Sequence, residues 1–292
     1  MSAVEKLSAV IPALVKTLEA RGIERRYLQF GGADATATKP FVPTDARSEF
    51  LANRAMGDWA ENTLADAIEQ TKKYSVKHYG NAERLAAGDP GFKDFYLSAY
   101  NEVCEKGKRP DLLLFAYGKA PKEDLAVLPR DQTDPFVKDA VGAIEVRSSK
   151  VEADVYMKVR KDEAQKGTRE TPSFTVKVED LRVVYRWIER HNIPQAYCQV
   201  FFDSAYAISV QSIFETIAAA PKDVTFDKPA KSQLKSTIMI PITYGARIGS
   251  FVTKPEYGVA KRVTRLGRHD AYVVPSGGDL RLDAAGLLTL FS

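Results

Sequence analysis

Two short apolar runs each carry a carboxylate where a buried segment would normally exclude one. The first is Arg109-Pro110-Asp111-Leu112-Leu113-Leu114-Phe115; the second is Ala143-Ile144-Glu145-Val146-Arg147-Ser148-Ser149-Lys150. As neighbouring strands they hold Asp111 and Glu145 side by side, and two like charges so held either share a proton or bind a hard cation such as Mg²⁺. Side chains alternate along a strand, so Arg147 shares the face of Glu145. A cation there can orient water or neutralise charge on a phosphoryl group. Val146 points away but offers its backbone carbonyl as a further oxygen ligand. Metal-assisted phosphodiester hydrolysis needs an activated water, a polarised phosphorus and a stabilised leaving oxyanion, and carboxylate-bound Mg²⁺ contributes to all three. The bland alternative is a strand-entry Pro-Asp and an ordinary Glu-Arg pair, salt-bridge partners in a non-catalytic scaffold.

The elements that must position these residues are legible from periodicity. Val4, Leu7, Ile11, Leu14, Val15 and Leu18 predict an amphipathic helix over 3–21, bent or restarted at Pro12 and ended by Gly22. Residues 31–44, rich in Gly, Ala, Thr and Pro, read as an irregular stretch too long for a simple connector, and hence as a functional or a mobile loop. A second helix starts near Thr44-Asp45-Ala46-Arg47 and runs through Trp59 to Ile68, with a break around Gly57. Residues 71–109 are polar and basic, with a helix over Phe92–Cys104. Leu112–Tyr117 is a continuous apolar run and hence a buried strand, which Pro110 can enter but not occupy. A connector with three prolines spans 118–138, and Val141–Ser148 is the next strand.

Beyond it the pattern predicts a charged helix over 151–166, a half-buried strand over 174–178, a helix from Glu179 to Ile188, a buried strand over 196–203 and a helix over 209–219. Together these make an α/β fold, a mixed central sheet flanked by helices. From 221 onward five prolines, short strand-like pieces such as Ser236–Thr243 and the basic residues Lys261, Arg262, Arg265 and Arg268 suggest a β-rich C-terminal subdomain. The expected division is an N-terminal helix and loop over 1–45, a core over 46–220 and this subdomain over 221–292.

Bulk properties narrow the class. The hydrophobic content of 45% and charged content of 27% describe a globular protein with a sizeable core. The net charge of +4 tilts mildly toward an anionic partner. Cys104 and Cys198 lie far apart, and His78, His191 and His269 are scattered, so neither zinc nor a His-based triad is indicated. Gly31-Gly32 and Gly277-Gly278 lack a phosphate-loop pattern. No signal core or apolar span is present, so the expectation is a cytoplasmic protein with no membrane association.

Pro110-Asp111, an interval, and Glu145-x-Arg147 together resemble the PD-(D/E)xK signature found in most type II restriction endonucleases. Gly57-Asp58-Trp59-Ala60-Glu61 resembles the preceding core helix of that superfamily, whose Glu can complete the site. The Asp180–Ile188 helix and the Tyr197–Asp203 strand fit the remaining core. The resemblance covers roughly residues 50–220. It departs at one position, where Arg147 stands in place of Lys. Arg keeps the charge but cannot give up its proton at ordinary pH. Lys150 is a possible substitute, although an ideal strand turns it to the opposite face.

The resemblance implies a Mg²⁺-dependent type II restriction endonuclease cutting both strands of double-stranded DNA. Asp111 and Glu145 would hold metal with Val146, Arg147 would position water or the scissile phosphate, and Glu61 would assist. The resemblance does not assign the C-terminal part; from charge alone Lys150, Lys261, Arg262, Arg265 and Arg268 are candidate DNA contacts, with a solvated basic hairpin as the alternative for 261–268. A palindromic site would imply a homodimer, and a companion DNA methyltransferase would protect the host genome. A sequence-specific DNA-binding protein without cleavage, or a repair or recombination nuclease, stands as the alternative. The recognition sequence and cut position are not legible.

Overall fold

The structure is a computed structural model that describes residues 1–31, 40, 42–44, 48–80, 85, 87–163, 171–227, 233–263, 267 and 269–291. The chain opens with helix α1 (Ala3–Ala20), started by a capping box in which Ser2 and Glu5 satisfy each other's backbone N–H groups. Leu7, Leu14 and Leu18 are its buried stripe, and Pro12 lies within it. Helix α2 (Ser48–Gln70) runs unbroken through Gly57, and the expected start at 44–47 falls on a stretch of which 45–47 lie outside the described residues. Then follow β1 (Tyr74–His78), α3 (Phe92–Lys106), β2 (Leu112–Ala116), α4 (Arg130–Val137), β3 (Gly142–Ser148) and α5 (Ala153–Glu163). The rest is β4 (Ser173–Lys177), α6 (Val178–His191), β5 (Gln195–Val200), β6 (Ser204–Ser209), α7 (Val210–Ala219), β7 (Thr225–Asp227), β8 (Thr237–Pro241), β9 (Ala246–Thr253), β10 (Glu256–Val263), β11 (His269–Ser276), β12 (Asp279–Leu282) and α8 (Ala284–Leu288).

The mixed α/β architecture expected from the periodicities is what forms. A seven-stranded sheet runs in the order β1-β2-β3-β5-β6-β9-β12. β3 and β5 are parallel, and the other neighbours are antiparallel. Its two faces carry separate cores. Leu112 and Leu114 of β2, with Ile144 and Val146 of β3, pack with Met56, Trp59, Ala60, Leu64 and Ile68 of α2. Leu113, Phe115, Ala143 and Tyr197 face the other way, into a core shared with α1, α6 and α7. The two-residue side-chain period thus sends Glu145 and Arg147 to the α6 side.

Five expectations change. The polar segment after α2 contains β1, an edge strand whose Val76 pairs with Leu114. The proline-bearing connector contains α4, and β6 follows β5 directly. The strand at 174–178 does not enter the main sheet: β4 pairs with β8, which also pairs with β7, in a second antiparallel sheet. Residues beyond 221 supply β9 and β12 to the main sheet as well as the hairpin β10–β11.

Candidate active site

Proline at the entry of β2 leaves Asp111 just outside the ladder, on the same face as Leu113. The carbonyl of Asp111 accepts from the N–H groups of Tyr79 and Gly80, at 2.8 and 3.2 Å. A side chain at Gly80 would bring a Cβ within 3.2 Å of the Asp111 Cα and 3.3 Å of its Oδ1. The backbone therefore closes tightly over this residue. On its other side Asp111 Oδ2 accepts a 2.6 Å hydrogen bond from the Val146 N–H. The two sequence halves are thus joined directly, the side chain of one to the main chain of the other.

Glu145 is only 1% exposed and sits at the floor of a cleft of about 1700 Å³, beside Glu61, Lys108, Asp111, Arg147 and Lys150. Two cations converge on Glu145 Oε1: Arg147 Nη2 at 3.2 Å, and the Lys108 ammonium in a close ion pair. Its other oxygen, Oε2, is buried without a hydrogen-bond partner. Burial, then the neighbouring Glu145 carboxylate, push the Asp111 carboxyl well above the usual carboxylate range. Glu61 adds to that push from α2. Burial opposes the charge of Lys108, but the carboxylates of Glu145, Asp180 and Asp111 together outweigh it and the neighbouring Arg147, so the ammonium holds its proton more firmly than usual.

Arg147 is held at several points. Its Nη2 also donates to Asp180 Oδ2 of α6 at 3.0 Å, and its guanidinium lies 5.8 Å from the centre of the Tyr197 ring. The net effect of burial and these partners is to raise its pKa further. Glu61 lines the same cleft, with Oε2 3.8 Å from His78 Nδ1. Lys150 Nζ donates to Asn53 Oδ1 of α2 at 3.1 Å. Lys261 is exposed on β10, and Arg262 lies 3.7 Å from Asp270 across the hairpin. Arg265 and Arg268 fall outside the described residues.

Lys108 and Asp180 are the members of this constellation that sequence reasoning missed. Lys108 stands three positions before Asp111 in Lys108-Arg109-Pro110-Asp111, so its neighbourhood to the motif was visible, but nothing local tied it to Glu145. Its position follows from the turn after α3. Gly107 has φ +86°, and a Cβ there would come within 2.5 Å of the Trp187 backbone nitrogen. This close approach lets α3 end directly on α6, where the Lys108 N–H donates to the Val183 carbonyl at 3.0 Å. Arg109 turns away to a two-point ion pair with Glu102, at 2.7 and 3.2 Å.

The donor set suits a hard divalent cation. Both carboxylates offer oxygen, and a bound cation would give the orphaned Glu145 Oε2 the partner it lacks. Among the described residues no three His, Cys, Asp or Glu side chains converge as a metal-binding group.

No curated protein matches. Among solved structures, a nuclease from a fusselovirus is similar at 12% identity and a TM-score of 0.30, covering 64% of this chain and 81% of that one. No helix among the described residues is long and apolar enough to cross a membrane. Residues 23–168 and 157–292 match the AccI restriction endonuclease family, a match that takes in both carboxylate-bearing strands and the C-terminal hairpin. The chain belongs to the AccI restriction endonuclease family and is a type II restriction endonuclease.

Proposed function

We propose that this enzyme cuts both strands of duplex DNA at a specific sequence, with Mg²⁺ as cofactor and Asp111 and Glu145 as its protein ligands. The observation that carries the reading is the buried pair itself: two carboxylates from adjacent chain segments at the floor of a cleft, Asp111 raised in pKa by burial and then by Glu145, with Glu145 Oε2 unpartnered. When bound, Mg²⁺ supplies Lewis acidity toward a phosphoryl oxygen and makes bound water more acidic.

The chain's own residues then divide the work. Asp111 and Glu145 keep anionic oxygens aimed into the cleft, at positions fixed by the Val146 N–H and by the sheet. The Val146 carbonyl is a further candidate ligand. Arg147, braced by Asp180, fixes positive charge beside Glu145, where it favours a phosphate oxygen or an oriented water. Glu61 assists from α2. Lys150, at the rim, contacts the DNA backbone.

Sequence reading is assigned to the C-terminal region, with Lys261, Arg262, Arg265 and Arg268 as the candidate contacts. The hairpin β10–β11 supports this, because a two-stranded antiparallel ribbon fits the major groove. The functional division is a helix and loop over 1–45, a nuclease core over 46–220 and a DNA-contacting part over 221–292. A twofold homodimer on a palindromic site and a companion methyltransferase complete the proposal. Incubation with plasmid DNA tests it: discrete fragments with Mg²⁺ and none with a chelator are expected. Random degradation, or cutting that survives the chelator, would overturn it.

A further inference from the structure

We propose that, of the two cations on Glu145, it is Lys108 whose ammonium touches the scissile phosphate, which leaves Arg147 the water-positioning half of its role, as a fixed strut. This rests on the reading of Asp111 and Glu145 as the catalytic pair. Two cations share Glu145 Oε1, but they are held very differently. Arg147 Nη2 is also bonded to Asp180, and the guanidinium lies over Tyr197. Reorienting it toward a substrate would strip Asp180 of its charge-assisted hydrogen bond. Lys108 has a fixed base and a free end. Its backbone is anchored to Val183 of α6, while among the described residues Glu145 is the one side chain its Nζ bonds. An ammonium has three donors, and this ion pair uses one.

Lys108 also lines the same cleft as the two carboxylates and remains 29% exposed there. An ammonium so placed can turn from a carboxylate to a non-bridging phosphate oxygen without disturbing the fold. Its charge counts most where negative charge grows on the phosphoryl group. A cation held by Asp111 and Glu145 would compete with Lys108 for the Glu145 carboxylate. Lys108 therefore has two effects of opposite sign: it weakens binding of a divalent ion in the absence of DNA, and it accelerates cleavage once DNA is bound.

The test is Lys108→Met and Lys108→Arg in the full chain, with Asp111→Asn alongside. For Lys108→Met the account expects kcat to fall about 10²–10³-fold with KM little changed. It also expects an unchanged thermal unfolding midpoint and tighter binding of Mn²⁺, measured calorimetrically without DNA. Lys108→Arg restores charge and recovers part of the rate. Lys108→Met cutting within about threefold of the parent overturns the inference, as does Mn²⁺ binding that weakens or stays the same. Asp111→Asn separates the two claims: if it still cuts, the carboxylate reading fails whatever Lys108 does, and if it is dead while Lys108→Met is fully active, only the inference fails.

Discussion

Oδ2 of Asp111 accepts a 2.6 Å hydrogen bond from the backbone N–H of Val146, the residue directly after Glu145. The spacing of the two carboxylates is therefore set by main chain, through a bond that joins positions 35 apart in sequence. A charge-assisted bond to a backbone donor is short and directional. It keeps the Asp111 carboxylate close to Glu145 despite their repulsion, so burial first, and then that enforced proximity, raise the Asp111 pKa. The same geometry that costs stability in the free protein prepares a site with high demand for a cation.

Asp180 should matter to catalysis chiefly through Arg147. Asp180→Asn weakens the 3.0 Å ion pair that braces the guanidinium and leaves the carboxylate pair in place. Loss of one charged hydrogen bond corresponds to a fall in kcat of about 10- to 100-fold. Single-turnover cleavage with DNA prebound measures this directly. A rate equal to the parent would show that Arg147 needs no brace.

Stability should fall on mild acidification because of His191. Burial first, and then Arg130 and Arg190, hold its pKa near 4 instead of 6.5, with Asp134 acting the other way. The folded state thus binds fewer protons than the unfolded chain between those values. Stability is fully present above pH 6.5 and declines as pH drops toward 4, by about 2 kcal/mol between pH 7.5 and 5 for this group. Urea unfolding at the two pH values gives the difference. In His191→Asn, which cannot titrate, the pH dependence should shrink by about that amount; an unchanged dependence would contradict the assignment.

Lys261 offers a test of the hairpin that is independent of chemistry. It is exposed on β10, whereas Arg262 beside it faces Asp270. If Lys261 neutralises one phosphate, Lys261→Ala lowers the slope of log affinity against log salt by about one and weakens binding to all sequences alike. Fluorescence titration over a salt series, with Ca²⁺ in place of Mg²⁺, reads the slope. No change in slope would remove Lys261 from the interface.

Much of the centre was legible because its signals are local. Asp111 and Glu145 interrupt apolar runs, and the two-residue period alone put Arg147 beside Glu145. Glu61 could be linked to them only by resemblance, since an isolated helix Glu is normally solvated. Lys108 was not legible, since its contact with Glu145 depends on α3 resting on α6 through Gly107. Pairing was equally hidden. β4 alternates like a strand of the main sheet, yet its partner β8 lies beyond residue 236, and β9 and β12 return to the main sheet from a segment that reads as separate. β1 escaped notice because an edge strand with Ser75 and Lys77 lacks an apolar run.

The central claim is that Asp111 and Glu145 together make the hydrolytic site. Asp111→Asn and Glu145→Gln keep shape and remove charge, and the Asn oxygen can still accept from the Val146 N–H. The decisive measurement is cleavage of one sequenced plasmid by both variants beside the parent, with far-ultraviolet circular dichroism to verify folding. The account predicts discrete fragments from the parent and a loss of at least about 10³-fold in rate from each folded variant, the scale seen when a transition-state electrostatic group is removed. Cutting by either folded variant at the parent's rate would contradict it.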